Sequence, residues 1–178
     1  MIEIVSALLF GWLIADFLSG LLHWLEDRVL WVGMPLLSAA IVEPNRLHHR
    51  APLAFLDSRF VDRNWTSWVA ALPIALAWLV VFGFSAELLG ALCGALVANE
   101  VHALAHRPRN VPRWVRALQW TGLIQSPEYH RLHHLADRDR AYCVLTNWLN
   151  PWLDLIGFWG ALERLLTIVG LEPNRGTK

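Results

Sequence analysis

The segment from Ser126 to Asp137, SPEYHRLHHLAD, carries His130, His133 and His134 at spacings that bring imidazoles onto one side of a helix. The other five of the chain's eight histidines are as tightly grouped. They are His102 and His106 in NEVHALAH, the pair His48 and His49 in PNRLHHR, and His23 in DFLSGLLHW. Neutral imidazole binds first-row divalent metals well, and eight of them exceed the three or four protein ligands that one zinc takes. Two metal ions are the economical reading. A separate core role suits any one of these histidines alone, but not eight gathered into so few groups. The two cysteines, Cys93 in an apolar run and Cys143 between tyrosine and valine, support neither a disulfide framework nor a thiolate zinc site. His23, His48, His49, His102, His106, His130, His133 and His134 are therefore the candidate metal ligands and catalytic residues.

Polar residues near the histidines have candidate supporting roles. Asp16, Gly20, His23 and Asp27 recur at helical spacing, so Asp16 and Asp27 are placed to hold an imidazole nitrogen from behind and fix its ring. Asn99 shares a helical face with His102 and His106, and either supports them or bonds to a neighbouring helix. Arg50, Arg131, Arg138 and Arg140 lie close in sequence to the histidines and have the geometry to grip a lipid phosphate, although anchoring at a membrane interface explains each of them more simply.

These groups must be positioned by membrane helices. The composition is 56% apolar with eleven tryptophans, and the mean hydropathy is +0.38, which is too apolar for an ordinary soluble domain. Ile2 to Leu25 is long enough to span a bilayer, and the absence of Lys or Arg before it argues against a cleaved leader. Leu30 to Val42 is too short to span and is read as a re-entrant or interfacial segment. Trp65 to Phe84, containing Pro73, is a second span. Ser85-Ala-Glu makes the turn into a third, from about Glu87 to the His102 region, in which Gly90 and Gly94 are spaced for close packing inside the molecule. Every Arg up to Arg140 lies between the first and second spans or after the third. The positive-inside rule then puts the amino terminus outside and all the histidines on the cytoplasmic face. Asn147 to Gly170 reads as one interfacial amphipathic helix, begun by Asn150 and Pro151, with a fourth span as the competing reading. The expectation is a single all-α domain over 1–178, integral to the membrane. An Arg- and Ala-rich composition with one Lys suggests a GC-rich bacterial genome and so a bacterial inner membrane.

No Gly-x-Ser-x-Gly elbow, P-loop, GxGxxG, haem or flavin pattern occurs, so a hydrolase is disfavoured and electrons must come from elsewhere. Iron or another metal that imidazole accepts stays open; with two iron ions, such a centre at the bilayer edge can activate dioxygen and remove hydrogen from an unactivated C–H bond of a lipid chain. Desaturation and hydroxylation both fit. A non-enzymatic metal carrier or sensor would instead spread its ligands along a path through the bilayer.

The ordered set DFLSGLLHW (16–24), HH (48–49), NEVHALAH (99–106), VPRWVRALQ (111–119), HRLHH (130–134), YCVLTNWLN and IGFW (142–159) resembles the plasmanylethanolamine desaturase or lipid desaturase domain family, which includes a plant plastid palmitate desaturase. The resemblance covers most of the chain, whereas HX2HH alone is shared with fatty-acid hydroxylases. It implies a desaturase acting on an ether-lipid alkyl chain or a phospholipid acyl chain, with the eight histidines holding two iron ions. Dioxygen would be the co-substrate, and electrons would come from a cytochrome b5-like or ferredoxin-like carrier, with no role for nucleic acid. Glu100 departs from the neutral amide expected there in animal members, and 56–64 does not align, which bears on substrate choice.

Overall fold

The computed structural model describes residues 1–107, 111–135 and 140–174, apart from the side chain of Phe55. All regular structure among them is helical. Three helices are long and apolar enough to cross a membrane: α1 (Ile2–Arg28), α3 (Phe60–Phe82) and α4 (Ala86–Ala105). Between the first two lie a π-helical turn (Ser38–Val42) that runs into α2 (Glu43–Arg50), and a 3-10 turn (Pro52–Asp57). After α4 come the short helices α5 (Arg113–Thr121), α6 (Pro127–His133), α7 (Asn150–Leu155) and α8 (Phe158–Ile168).

Helix α4 packs against both α1 and α3. Small residues bring α1 and α4 close together. A methyl at Gly11 would collide with the Glu87 carbonyl, one at Gly90 with the Leu8 carbonyl, and one at Gly94 with the Ala15 side chain. Gly90 and Gly94 thus do pack within the chain, with Gly11 as their counterpart. Ser85 caps α4 by accepting from the Leu88 amide, and Ser126 caps α6 by accepting from the Tyr129 amide.

The carboxy-terminal stretch differs from the single helix expected over 147–170. It breaks at Gly157, which adopts φ +66°, leaving α7 and α8 as two short pieces, neither of them long enough to span. Asn150 does not cap its own helix. Its side chain accepts from the Cys143 amide and donates to the Cys143 carbonyl.

That clamp belongs to an irregular strap, residues 141–146, which is almost wholly buried yet has no partner strand among the described residues. Buried backbone polar groups need partners, and here side chains provide them. Asp16 accepts from the Leu145 and Thr146 amides and the Thr146 hydroxyl. Ser19 accepts from the Val144 amide, Gln125 donates to the Cys143 carbonyl, and Asp154 accepts from the Ala141 amide. Asp16 therefore secures the strap rather than a histidine. Tyr142 and Cys143 of the strap pack with Trp24 and Trp159 in one apolar cluster. Arg28 at the end of α1 pairs with Glu163 of α8 at 2.9 Å, and Asn174 donates to the Leu30 carbonyl.

Candidate metal centre

Four elements and their ends carry the eight histidines. Helix α1 provides His23, α2 provides His48 and His49, α4 and its C-cap provide His102 and His106, and α6 and its C-cap provide His130, His133 and His134. The structure gathers them into two neighbouring groups. His48, His102, His106, His130 and His134 make one, and His23, His49, His133 and Asp27 make the other. In each group the potential donor atoms lie within 4.8 Å of one another. The groups adjoin, with ring centroids 5.5 Å apart for His23 and His102 and 5.1 Å apart for His49 and His134.

The five-histidine group fits a cation. The Nε2 atom of His130 lies 3.0 Å from the Nε2 atoms of His102, His106 and His134, and His102 Nε2 is 3.1 Å from that of His48. A single shared proton joins only one such pair, so three close nitrogen neighbours around His130 call for a positive centre. Two ligands at right angles, each about 2.1 Å from an ion, have their nitrogens about 3.0 Å apart, whereas a tetrahedral site spreads them to about 3.4 Å. The spacing and the five donors both disfavour a tetrahedral zinc site.

The second group fits as well. His23 Nδ1 lies 3.2 Å from the Tyr142 carbonyl and His133 Nδ1 lies 3.1 Å from the Arg140 carbonyl. Each Nδ1–H donates to its carbonyl, so the lone pair is left on Nε2, which the tautomer turns toward the site. The Nε2 of His23 is buried and has no hydrogen-bond partner among the described residues. Asp27 places one carboxylate oxygen 2.8 Å from His49 Nε2 and the other 3.4 Å from His133 Nε2. Asp27 thus stands among the candidate ligands, closer in than the supporting position expected from its spacing. Asn45 donates to the same carboxylate at 2.7 Å. Ala141, between Arg140 and Tyr142, has φ +56°, a conformation costing a non-glycine residue about 1–2 kcal/mol, and it lets the carbonyls on either side face histidines.

Burial, followed by repulsion from neighbouring imidazoles, keeps His48, His106, His130 and His134 unprotonated. His106 is lowered to about 4 and His134 to about 2. His48 and His130 lie well below the usual histidine range for the same reasons. Neutral rings are the form that binds metal.

A cavity of about 560 Å³ lies between α1, α3 and α4. It is walled by Ile14, Leu18, Leu22, Ala71, Ala95 and similar apolar residues, and His23, His48 and His102 line it at one end. Near that end the lining turns polar with Glu26, Asn45, Asp62 and Arg63. Arg63 is buried and pairs with Glu100 at 2.8 Å while donating to the Leu56 and Ser58 carbonyls, so Glu100 helps hold the 51–59 turn. Among the described residues, none of the arginines suggested for headgroup contact lines the cavity. Arg50, Arg131 and Arg140 are exposed, and Arg138 lies outside the described residues. Asn99 lines it but donates to the Arg63 carbonyl and the Ser67 hydroxyl, joining α4 to α3. Sequence reasoning missed Glu26, Asp62 and Arg63, which have no periodic or histidine-like signal and acquire meaning only once three helices meet.

Residues 12–176 match the lipid desaturase domain. The chain is 34% identical over 180 residues to the plasmanylethanolamine desaturase of Myxococcus xanthus, covering 97% of this chain and 64% of that protein. It is 32% identical to plasmanylethanolamine desaturase 1 of Mus musculus, covering 96% and 68%. Similarity to the chloroplastic fatty acid desaturase 4 of Arabidopsis thaliana is 30%, covering 92% and 52%. The chain thus spans roughly half to two thirds of the length of these relatives. No solved structure matches it. Eight histidines converging from four helical elements, and a match running nearly from end to end, lead to one conclusion: the chain belongs to the lipid desaturase domain family.

Proposed function

We propose that the chain is a membrane lipid desaturase that removes two hydrogens from adjacent carbons of an ether-lipid alkyl chain or a phospholipid acyl chain. The observation that carries this reading is the apolar cavity ending at His23, His48 and His102. A slot of that shape in the membrane-spanning part of the protein suits a hydrocarbon tail, and its polar lining at the histidine end suits the headgroup side of the lipid. The carbons nearest the headgroup would then pass closest to the histidines.

Two iron ions are the proposed metals. His48, His102, His106, His130 and His134 would hold one, and His23, His49, His133 and Asp27 the other. When bound, such a pair supplies the oxidising power to break unactivated C–H bonds with dioxygen. Overall, a CH2–CH2 unit, O2, two electrons and two protons give CH=CH and two waters. The electrons come from an external cytochrome b5-like or ferredoxin-like carrier. The chain's own part is positioning. The walls of α1, α3 and α4 exclude water and hold the tail straight, and the backbone carbonyls of Arg140 and Tyr142 fix the rings of His133 and His23. The arginine distribution supports a bacterial inner-membrane orientation with the amino terminus outside and the histidines on the cytoplasmic face.

The test is untargeted lipidomics on a lipid-supplying host that carries the wild type or the His134→Ala variant. Species lighter by two hydrogens, present only with the wild type and acid-labile if they are vinyl ethers, are expected. Species heavier by one oxygen would replace this reading with a hydroxylase. Identical lipids in both strains, with the electron carrier and a range of ether and acyl lipids supplied, would overturn an enzymatic role.

A further inference from the structure

The cavity has a defined far end. Along α4 its lining runs from His102 down to Leu88, and along α3 from Asp62 down to Trp78. Fourteen residues separate Leu88 from His102, about 21 Å at the helical rise of 1.5 Å per residue. At the far end Leu88 and Ala75 are themselves buried, with 3% and 8% exposure. Trp78 is packed against Phe82, with ring centroids 5.2 Å apart, which holds its indole in place as a wall. Between the ends, the lining of α3 and α4 is rich in alanine, so the open volume follows from side chains too small to fill it.

We propose that this cavity is a ruler for a single saturated lipid chain, with Ala75, Trp78 and Leu88 as the floor that sets its length. The inference rests on the lipid-chain reading above and adds the residues that choose among lipids. An extended hydrocarbon on tetrahedral carbon advances about 1.25 Å per bond, so 21 Å accommodates roughly 16 carbons between the histidine end and the floor. A tail that is too long meets Leu88 and Trp78 before its upper carbons reach the histidines. A shorter one leaves part of the apolar floor uncovered and forfeits the corresponding burial.

The proposal is tested with purified full-length protein in wild-type, Ala75→Phe and Leu88→Ala forms, made in a host supplied with 14-, 16- and 18-carbon chains. Two readouts are taken from each: the chain lengths of lipid that copurifies with the protein, measured by mass spectrometry after extraction, and the chain lengths of desaturated products in the host. Ala75→Phe raises the floor and is expected to shift both distributions shorter by about two carbons. Leu88→Ala lowers it and is expected to shift them longer. The two substitutions act in opposite directions, so failure of one variant to fold leaves the other as a decisive test. Unchanged chain lengths in a folded variant would overturn the ruler. With the electron carrier also supplied to the host, a protein whose bound chains shift while no desaturated product forms would support the ruler and overturn the desaturase reading, because bound lipid does not depend on turnover.

Discussion

Adjacent residues on a helix point about 100° apart, while residues four apart share a face. This sorts most of the histidines, although His130 and His133, three apart, still divide between the groups. The neighbours His48 and His49 feed different groups, as do His133 and His134, whereas His102 with His106, and His130 with His134, each serve one group. His23 and Asp27, also four apart, serve the other. The division into two groups was thus latent in the spacing, and so was the presence of a carboxylate in one of them. What spacing did not reveal is that Asp16 serves the strap. Its partners, Leu145 and Thr146, are about 130 residues away in sequence, and no local pattern encodes that pairing. Two predictions belong here. Replacing His134 or His133 with Ala is expected to remove one of two bound ions in each case, with metal affinity at the altered position falling at least about tenfold; metal analysis of the purified variants checks this, and unchanged metal content in both would contradict the grouping. The second concerns pH. His106 is lowered to about 4 and His134 to about 2, against 6.5 for an unperturbed ring. As pH falls from 6.5 toward 4, the unfolded chain takes up protons that the folded chain refuses, so the metal-free protein loses stability over that window and is unaffected by these groups above it. A lower unfolding temperature at pH 5 than at pH 7.5 is expected, and a higher one would contradict the burial argument.

At the level of elements, the three long helices were legible because apolar length is a strong signal, and so was the glycine packing between the first and third of them. The single amphipathic helix expected over 147–170 was not found. Its periodic stripe continued through Gly157, where the chain turns with positive φ, and periodicity is insensitive to one residue of reversed hand. The strap was invisible as structure because an isolated buried segment without regular structure is held by side chains from elsewhere in the chain rather than by any pattern of its own. Asp16→Ala would leave two buried amides and a hydroxyl without their acceptor, and a loss of about 3 kcal/mol in stability is expected from the usual cost of such orphans. Denaturant titration of the solubilised protein measures it, and a loss below about 0.5 kcal/mol would show that the strap is held otherwise. Ala141→Gly relieves the positive φ and should be neutral or stabilising, whereas Ala141→Val should destabilise the protein and loosen the carbonyls that orient His23 and His133.

For the whole molecule, three crossings put all the histidines at one end of the helices and the cavity floor toward the other. The histidine positions and the arginine distribution anticipated one end of this arrangement. The cavity was out of reach of the sequence, because it is the space left between α1 and α3 when α4 packs on both, and its lining alanines are unremarkable in the chain. The orientation can be checked with cysteine labelling on a Cys93→Ala background. Ser85→Cys should react from outside the cell and the exposed Glu128→Cys from the cytoplasm only, and reaction of both from one side would refute the topology. The most direct test of the account is the metal content of the purified, detergent-solubilised wild-type protein supplied with iron. About two iron ions per chain are expected, matching the five-histidine group and the group containing Asp27. A single ion, or two sites filled by zinc with iron excluded, would contradict it.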